Sequence, residues 1–150
     1  MNSLAGGIWH NEFGFDLRDT GRKVNGCPPW RKRVEYEYTA DTDHPMTFQE
    51  SEFCFVQPDT HGTTDMGSVP EMAQWLLIPK DLHNPSFIMH DSACRQRKLY
   101  WSSKLNGVYV PCYISSGSAA ELLGRCLYAA GYQKRAYIVY HAVKRFGPQW

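Results

Sequence analysis

No run of this chain approaches the ~20 consecutive apolar residues that a membrane-spanning helix requires. The first residues, "MNSLAGGIWHNEFGFDLRD", lack both the basic start and the apolar centre of a secretory signal. The expectation is a soluble chain that is not conventionally exported. Closely spaced cysteine pairs are also missing: Cys27, Cys54, Cys94, Cys112 and Cys126 stand singly. An odd, scattered set excludes a zinc knuckle and a full internal disulfide framework, and reads as free thiols. The second half is poor in acid. Residues 1–91 carry 7 Lys or Arg against 14 Asp or Glu, a balance of −7, whereas residues 92–150 carry 9 against 1, a balance of +8. The halves either face each other in the fold or leave a basic face for an anionic partner. Nothing in the pattern, neither a block of like charge nor aromatic interleaving, points to specific nucleic-acid binding.

What is present suits one compact unit. Of the 150 residues, 43% are hydrophobic and 14% aromatic, enough for a single core, so one domain over 1–150 is expected. Residues 1–33 hold glycines, "CPPW" and "RKR" without a sustained period and read as an irregular arm. "RVEYEYTAD" and "MTFQESEFCFVQP" alternate apolar and polar residues, which predicts two or three strands within 34–58. "DTHGTTDMGSVP", residues 59–70, has the composition of a polar loop.

Residues 71–147 read as the helical part. A short helix is expected between Pro70 and Pro79, then a helix over about 85–99 with Asn84 and Pro85 as cap and first position. "SAAELLGRCLYAAG" sets Leu122, Leu123, Cys126 and Leu127 on one stripe. Ser118 and Glu121 fit a capping box there, and Gly131 a stop. "QKRAYIVYHAVKRFG" repeats the pattern up to Gly147, so the last two helices should form an antiparallel hairpin. The segregation of strands from helices predicts an α+β fold, with a small antiparallel sheet packed on three main helices.

One dipeptide carries the chemistry. His90 and Asp91 are adjacent on a helix, about 100° apart, and cannot serve each other. His90 falls on the core stripe with Phe87 and Cys94, and Asp91 turns toward Ile88 and Arg95. The plain roles are a core histidine and a carboxylate paired with Arg95. Upstream, "GTTDMGSVP" offers carbonyls and the Asp65 carboxylate. Together with Asp91 this is an all-oxygen set suited to calcium or another divalent metal, and His90 could take a proton from a water beside it. The loop has a plain role too, with Asp65 as an Asx-type turn or helix cap. A His-Asp metal phosphohydrolase would take His61 or His83 as its first ligand but needs a later aspartate, and none follows Asp91. Ser92 and Cys94 adjoin His90, yet neither sits in a nucleophile elbow.

The ordered set "GTTDMGSVP", "FIMHD", "AAELLGRCLYAAG" and "AYIVYHAVKRFG" resembles the bacterial and phage family catalogued as domain of unknown function 1353. The resemblance covers about residues 50–147 and implies a phage or prophage origin. It leaves the activity open, and Glu121 stands where that family usually has aspartate. "HDSAC" is also distantly similar to the His-Asp helix of the secreted phospholipase A2 family. That similarity implies His90 as general base, Asp91 as calcium ligand, Glu121 as the residue orienting His90, and the Gly62–Gly67 loop as the remaining ligands. The Cys-rich calcium loop and disulfides of those enzymes are missing here.

Two functions follow as expectations. One is a metal-assisted His/Asp hydrolase with His90 and Glu121 catalytic and Asp91 and Asp65 on the metal, acting on an ester, lipid or cell-envelope substrate. The other is a non-enzymatic virion or host-interaction protein that keeps the His-Asp network for structure. Its partners would be other phage structural proteins or a host envelope component. Either would be made in the host cytoplasm, and the second would ride in the phage particle.

Overall fold

The computed structural model describes residues 3–25, 32–64 and 83–150. The fold is α+β, with eight strands in two antiparallel sheets and three helices among the described residues. The strands are β1 (Ile8–His10), β2 (Phe15–Asn25), β3 (Lys32–Ala40), β4 (Thr47–Ser51), β5 (Cys54–Gln57), β6 (His61–Thr64), β7 (Lys98–Ser102) and β8 (Val110–Tyr113). The helices are α1 (Asn84–Gln96), α2 (Ser116–Ala129) and α3 (Gln133–Phe146).

The larger sheet runs β1-β4-β5-β7-β8 and the smaller one β2-β3-β6. The strands expected within 34–58 are there, but sheet structure extends well beyond them. The arm expected over 1–33 contains β1 and β2. In β2, Phe15 and Leu17 alternate with exposed Asp16 and Arg18, and then the register against β3 shifts between Asp19 and Lys23, where Gly21 has a φ of +77°. That bulge breaks the period-two signal in the sequence. The polar loop begins with strand β6, because His61–Thr64 complete the edge of β3. The helix expected to 99 ends at Gln96. Arg97 turns left-handed (φ 56°), its N–H closes on the Ala93 carbonyl, and the aromatic-rich "KLYW" continues as β7. The helix expected between Pro70 and Pro79 lies outside the described residues.

The helix hairpin forms as predicted. Its first cap sits one turn earlier than the sequence suggests: the cap is Ser115, not Ser118, and the Ser115 hydroxyl accepts the Ser118 N–H. Two apolar clusters make the core. In one, Leu123 and Leu127 of α2 meet Ala136, Val139 and Val143 of α3, with Leu4 and Phe87; in the other, Leu122 and Cys126 meet Phe48, Val56, Ile88, Met89 and Leu99. α2 therefore turns one face to each cluster. α1 is buried continuously from Pro85 to Ala93, so its polar residues need partners inside the protein.

Candidate functional site

His90 and Asp91 lie in the middle of this buried helix, 4% and 9% exposed. The Thr64 hydroxyl, at the end of β6, donates to Asp91 Oδ2 at 2.5 Å. That is a charge-assisted bond across 27 residues of chain. His90 instead faces Cys94 one turn on, with Sγ 3.6 Å from Nδ1 and 3.7 Å from Nε2. Burial pulls the imidazole down from 6.5 to about 4, so it is neutral at neutral pH. The Cys94 thiol moves the other way, to about 12, first through burial and then through the Asp91 charge. It stays protonated and is no nucleophile.

Around Asp91 a polar clamp ties α1 to the small sheet and to Asp59. Ser92 Oγ accepts the Asp59 N–H at 2.8 Å, and Gln96 donates to the Asp59 carboxylate. Arg95 donates to the Thr63 carbonyl at 3.1 Å and the Tyr38 hydroxyl at 3.2 Å, and lies 3.8 Å from Asp59. The local Arg95–Asp91 partnership suggested by the spacing gives way to this one. A Cβ on Gly62 would sit 2.1 Å from the Arg95 guanidinium, so the bare glycine leaves room for it.

Glu121 does not join His90. Its Oε1 accepts from Arg125 at 3.3 Å, in a cleft of about 460 Å³ lined also by Glu50, Trp101 and Tyr113. No hydrogen bond links Glu121 to His90. Burial is the cause of the His90 shift, with no carboxylate opposing it. The position of Glu121 on α2 explains this: Leu122 and Leu123 take the two core faces and leave Glu121 on the flank, where Arg125 is four residues on. In the same cleft burial raises the Glu50 carboxyl, offset in part by Arg125. Asp65, the other expected metal ligand, lies outside the described residues. Among the described residues no group of three or more His, Cys, Asp or Glu is placed to hold a metal.

A polar triplet at the start of α1 was not foreseen. His83 bonds Ser86 Oγ through Nδ1 and Glu12 Oε2 through Nε2, each at 2.7 Å, within a ring of Trp9, Phe13 and Tyr132. Burial lowers the His83 pKa against the opposing pull of Glu12. The order Glu-His-Ser is that of a hydrolytic triad, but Ser86 is 0% exposed in the first turn of α1, where it fixes the helix entry. The three-residue spacing of His83 and Ser86 could have signalled the contact; Glu12 is too far away in sequence to be foreseen.

No protein-family model, curated protein or solved structure matches this chain. The two family resemblances therefore rest on the quoted motifs alone.

Proposed function

We propose that the protein is a small hydrolase of phage or prophage origin, acting on an ester, lipid or cell-envelope substrate at His90 with a calcium-like ion near Asp91. The supporting observation is the pairing of two buried groups that look in different directions. Among the described residues His90 bonds no carboxylate and burial keeps it neutral, while Asp91 meets Thr64, on a strand whose sequence runs on into Asp65.

Calcium takes about 6–8 oxygen ligands. The described residues offer two groups, the Asp91 carboxylate and the Thr64 hydroxyl, so they do not by themselves make a cage, and residues 65–70 would have to supply the rest. Within the chain, Thr64 orients Asp91 and the apolar wall of α1 keeps His90 uncharged. Glu121 is left out of the reading, because Arg125 engages it.

Calorimetric titration with calcium tests this. The ion should release or absorb heat and raise the melting temperature by mass action. Asp91→Asn should abolish both effects, and His90→Ala should keep them while losing hydrolysis of phospholipid or nitrophenyl ester. No heat and no thermal shift up to millimolar calcium would sink the reading.

A second reading has its own support. The contacts of Ser92, Arg95 and Gln96 with Asp59, Tyr38 and Thr63 are those of a structural clamp. A virion structural or host-interaction protein would use them to hold α1, with no response to metal. Thr64→Val, which removes a donor to a buried carboxylate, would then lower stability by about 1–3 kcal/mol without changing any activity.

A further inference from the structure

We propose that the exposed face of α3 docks the protein on an anionic phospholipid bilayer. The inward side of α3 is spent on the core, where Ala136, Val139, Tyr140 and Val143 are buried. The outward side carries Lys134, Arg135, His141, Lys144 and Arg145, all exposed, and the chain has no Asp or Glu after Glu121. None of these four Lys and Arg side chains forms an ion pair among the described residues. Lys144 rests on the Tyr140 hydroxyl at 3.2 Å, and the others point to solvent.

Two apolar side chains break the polar surface: Ile138, 39% exposed, and Phe146, 55% exposed. At 100° per residue, Lys134, Ile138, His141 and Arg145 fall within an arc of about 60°, and Arg135, Ala142 and Phe146 continue it. Ile138 thus shares its face with the cations Lys134, Arg135 and Arg145. A groove of about 570 Å³ runs between His141, Lys144, Arg145 and Phe146.

Uncompensated cations around short apolar anchors match the chemistry of a bilayer surface, where phosphate charge lies just above acyl chains. Single-stranded nucleic acid would want several flat rings among the cations to stack on. On this arc Phe146 is the one ring besides His141, and its neighbour in the charge pattern is aliphatic. Because the wide apolar face of α3 is already buried, the helix does not sink into the membrane. Docking is peripheral and depends on salt. It does not depend on His90 being catalytic.

The test is sedimentation of the full chain with vesicles of phosphatidylglycerol and phosphatidylcholine, against vesicles of phosphatidylcholine alone. Binding should require the anionic lipid and weaken as salt rises. Arg135→Gln with Arg145→Gln should lower partitioning roughly 25-fold, about fivefold per cation. Phe146→Ser should remove the binding that survives high salt. These side chains lie outside the core, so circular dichroism should be unchanged. Equal binding to both vesicle types, no binding, or an unaffected double variant would overturn the proposal. Preferential capture by a competing DNA oligonucleotide would overturn it as well and give the face to nucleic acid. His90→Ala should bind vesicles like the wild type, which separates failure of the hydrolytic reading from failure of this one.

Discussion

His90 is a base held uncharged inside a helix, and that has a consequence in pH. Its folded pKa of about 4 lies below the ordinary 6.5, so between those values the unfolded chain binds the extra proton. The associated stability is complete above pH 6.5 and is lost as pH falls toward 4. The full span amounts to roughly 3 kcal/mol and the step from pH 7 to pH 5 to about 2 kcal/mol. Urea unfolding at the two pH values should show that step in the wild type and a smaller one in His90→Gln. His83, also lowered, acts in the same direction and is separated by His83→Gln. Glu50, raised by burial, acts in the opposite direction, since its fold favours the neutral carboxyl that rising pH removes. The inward turn of His90 was legible because Phe87 and Cys94 share its stripe. The Thr64 partner of Asp91 was not, because nothing local announces a contact 27 residues away. Glu121 was misassigned through scarcity: being the only acid after Asp91 suggested a role, while Arg125 four residues on already supplied a local partner.

At the scale of elements, helix ends and tight approaches decide which substitutions hurt. Ser115→Ala should cost about 1 kcal/mol by freeing the Ser118 N–H, whereas Ser118→Ala should stay within about 0.5 kcal/mol, as thermal melts would show. Gly14 precedes β2 where the chain folds against residues 41–46, accepting N–H bonds from Asp41 and Met46. A Cβ there would lie 2.0 Å from the His44 carbonyl oxygen, which is backbone and cannot swing away. Gly62→Ala meets only the movable tip of Arg95. Gly14→Ala should therefore lower the melting temperature more than Gly62→Ala, and equal losses would show that Arg95 is as rigid as the backbone. The helices were more legible than the strands for a related reason. The hairpin of α2 and α3 is written in a local period of 3.6 with glycine stops, whereas β1, β6, β7 and β8 are three to five residues long and depend on distant neighbours. In β2 the bulge interrupts the alternation that would have revealed it.

For the whole molecule, the question is whether two sheets and a helix hairpin unfold as one. α2 stands between both apolar clusters, with Leu122 (3% exposed) in one and Leu123 (1% exposed) in the other, on adjacent residues of one rigid helix. α1 repeats the arrangement through Phe87 and Ile88. A helix that loses one cluster also loses the geometry that holds the second, so neither cluster can come apart while the other keeps its packing. Each leucine truncated to alanine removes buried methyl groups and leaves a cavity, at a cost of about 2–5 kcal/mol. Leu122→Ala and Leu123→Ala should therefore move the same single transition by similar amounts. The fluorescence of the five tryptophans, with Trp9 and Trp101 on the large sheet, reports tertiary packing and far-ultraviolet dichroism reports mainly the helices, so the two probes should give coincident curves in the wild type and both variants. If Leu123→Ala shifted the dichroism and left the fluorescence midpoint in place, the hairpin would be an independent unit and the bridging role of α2 would be wrong.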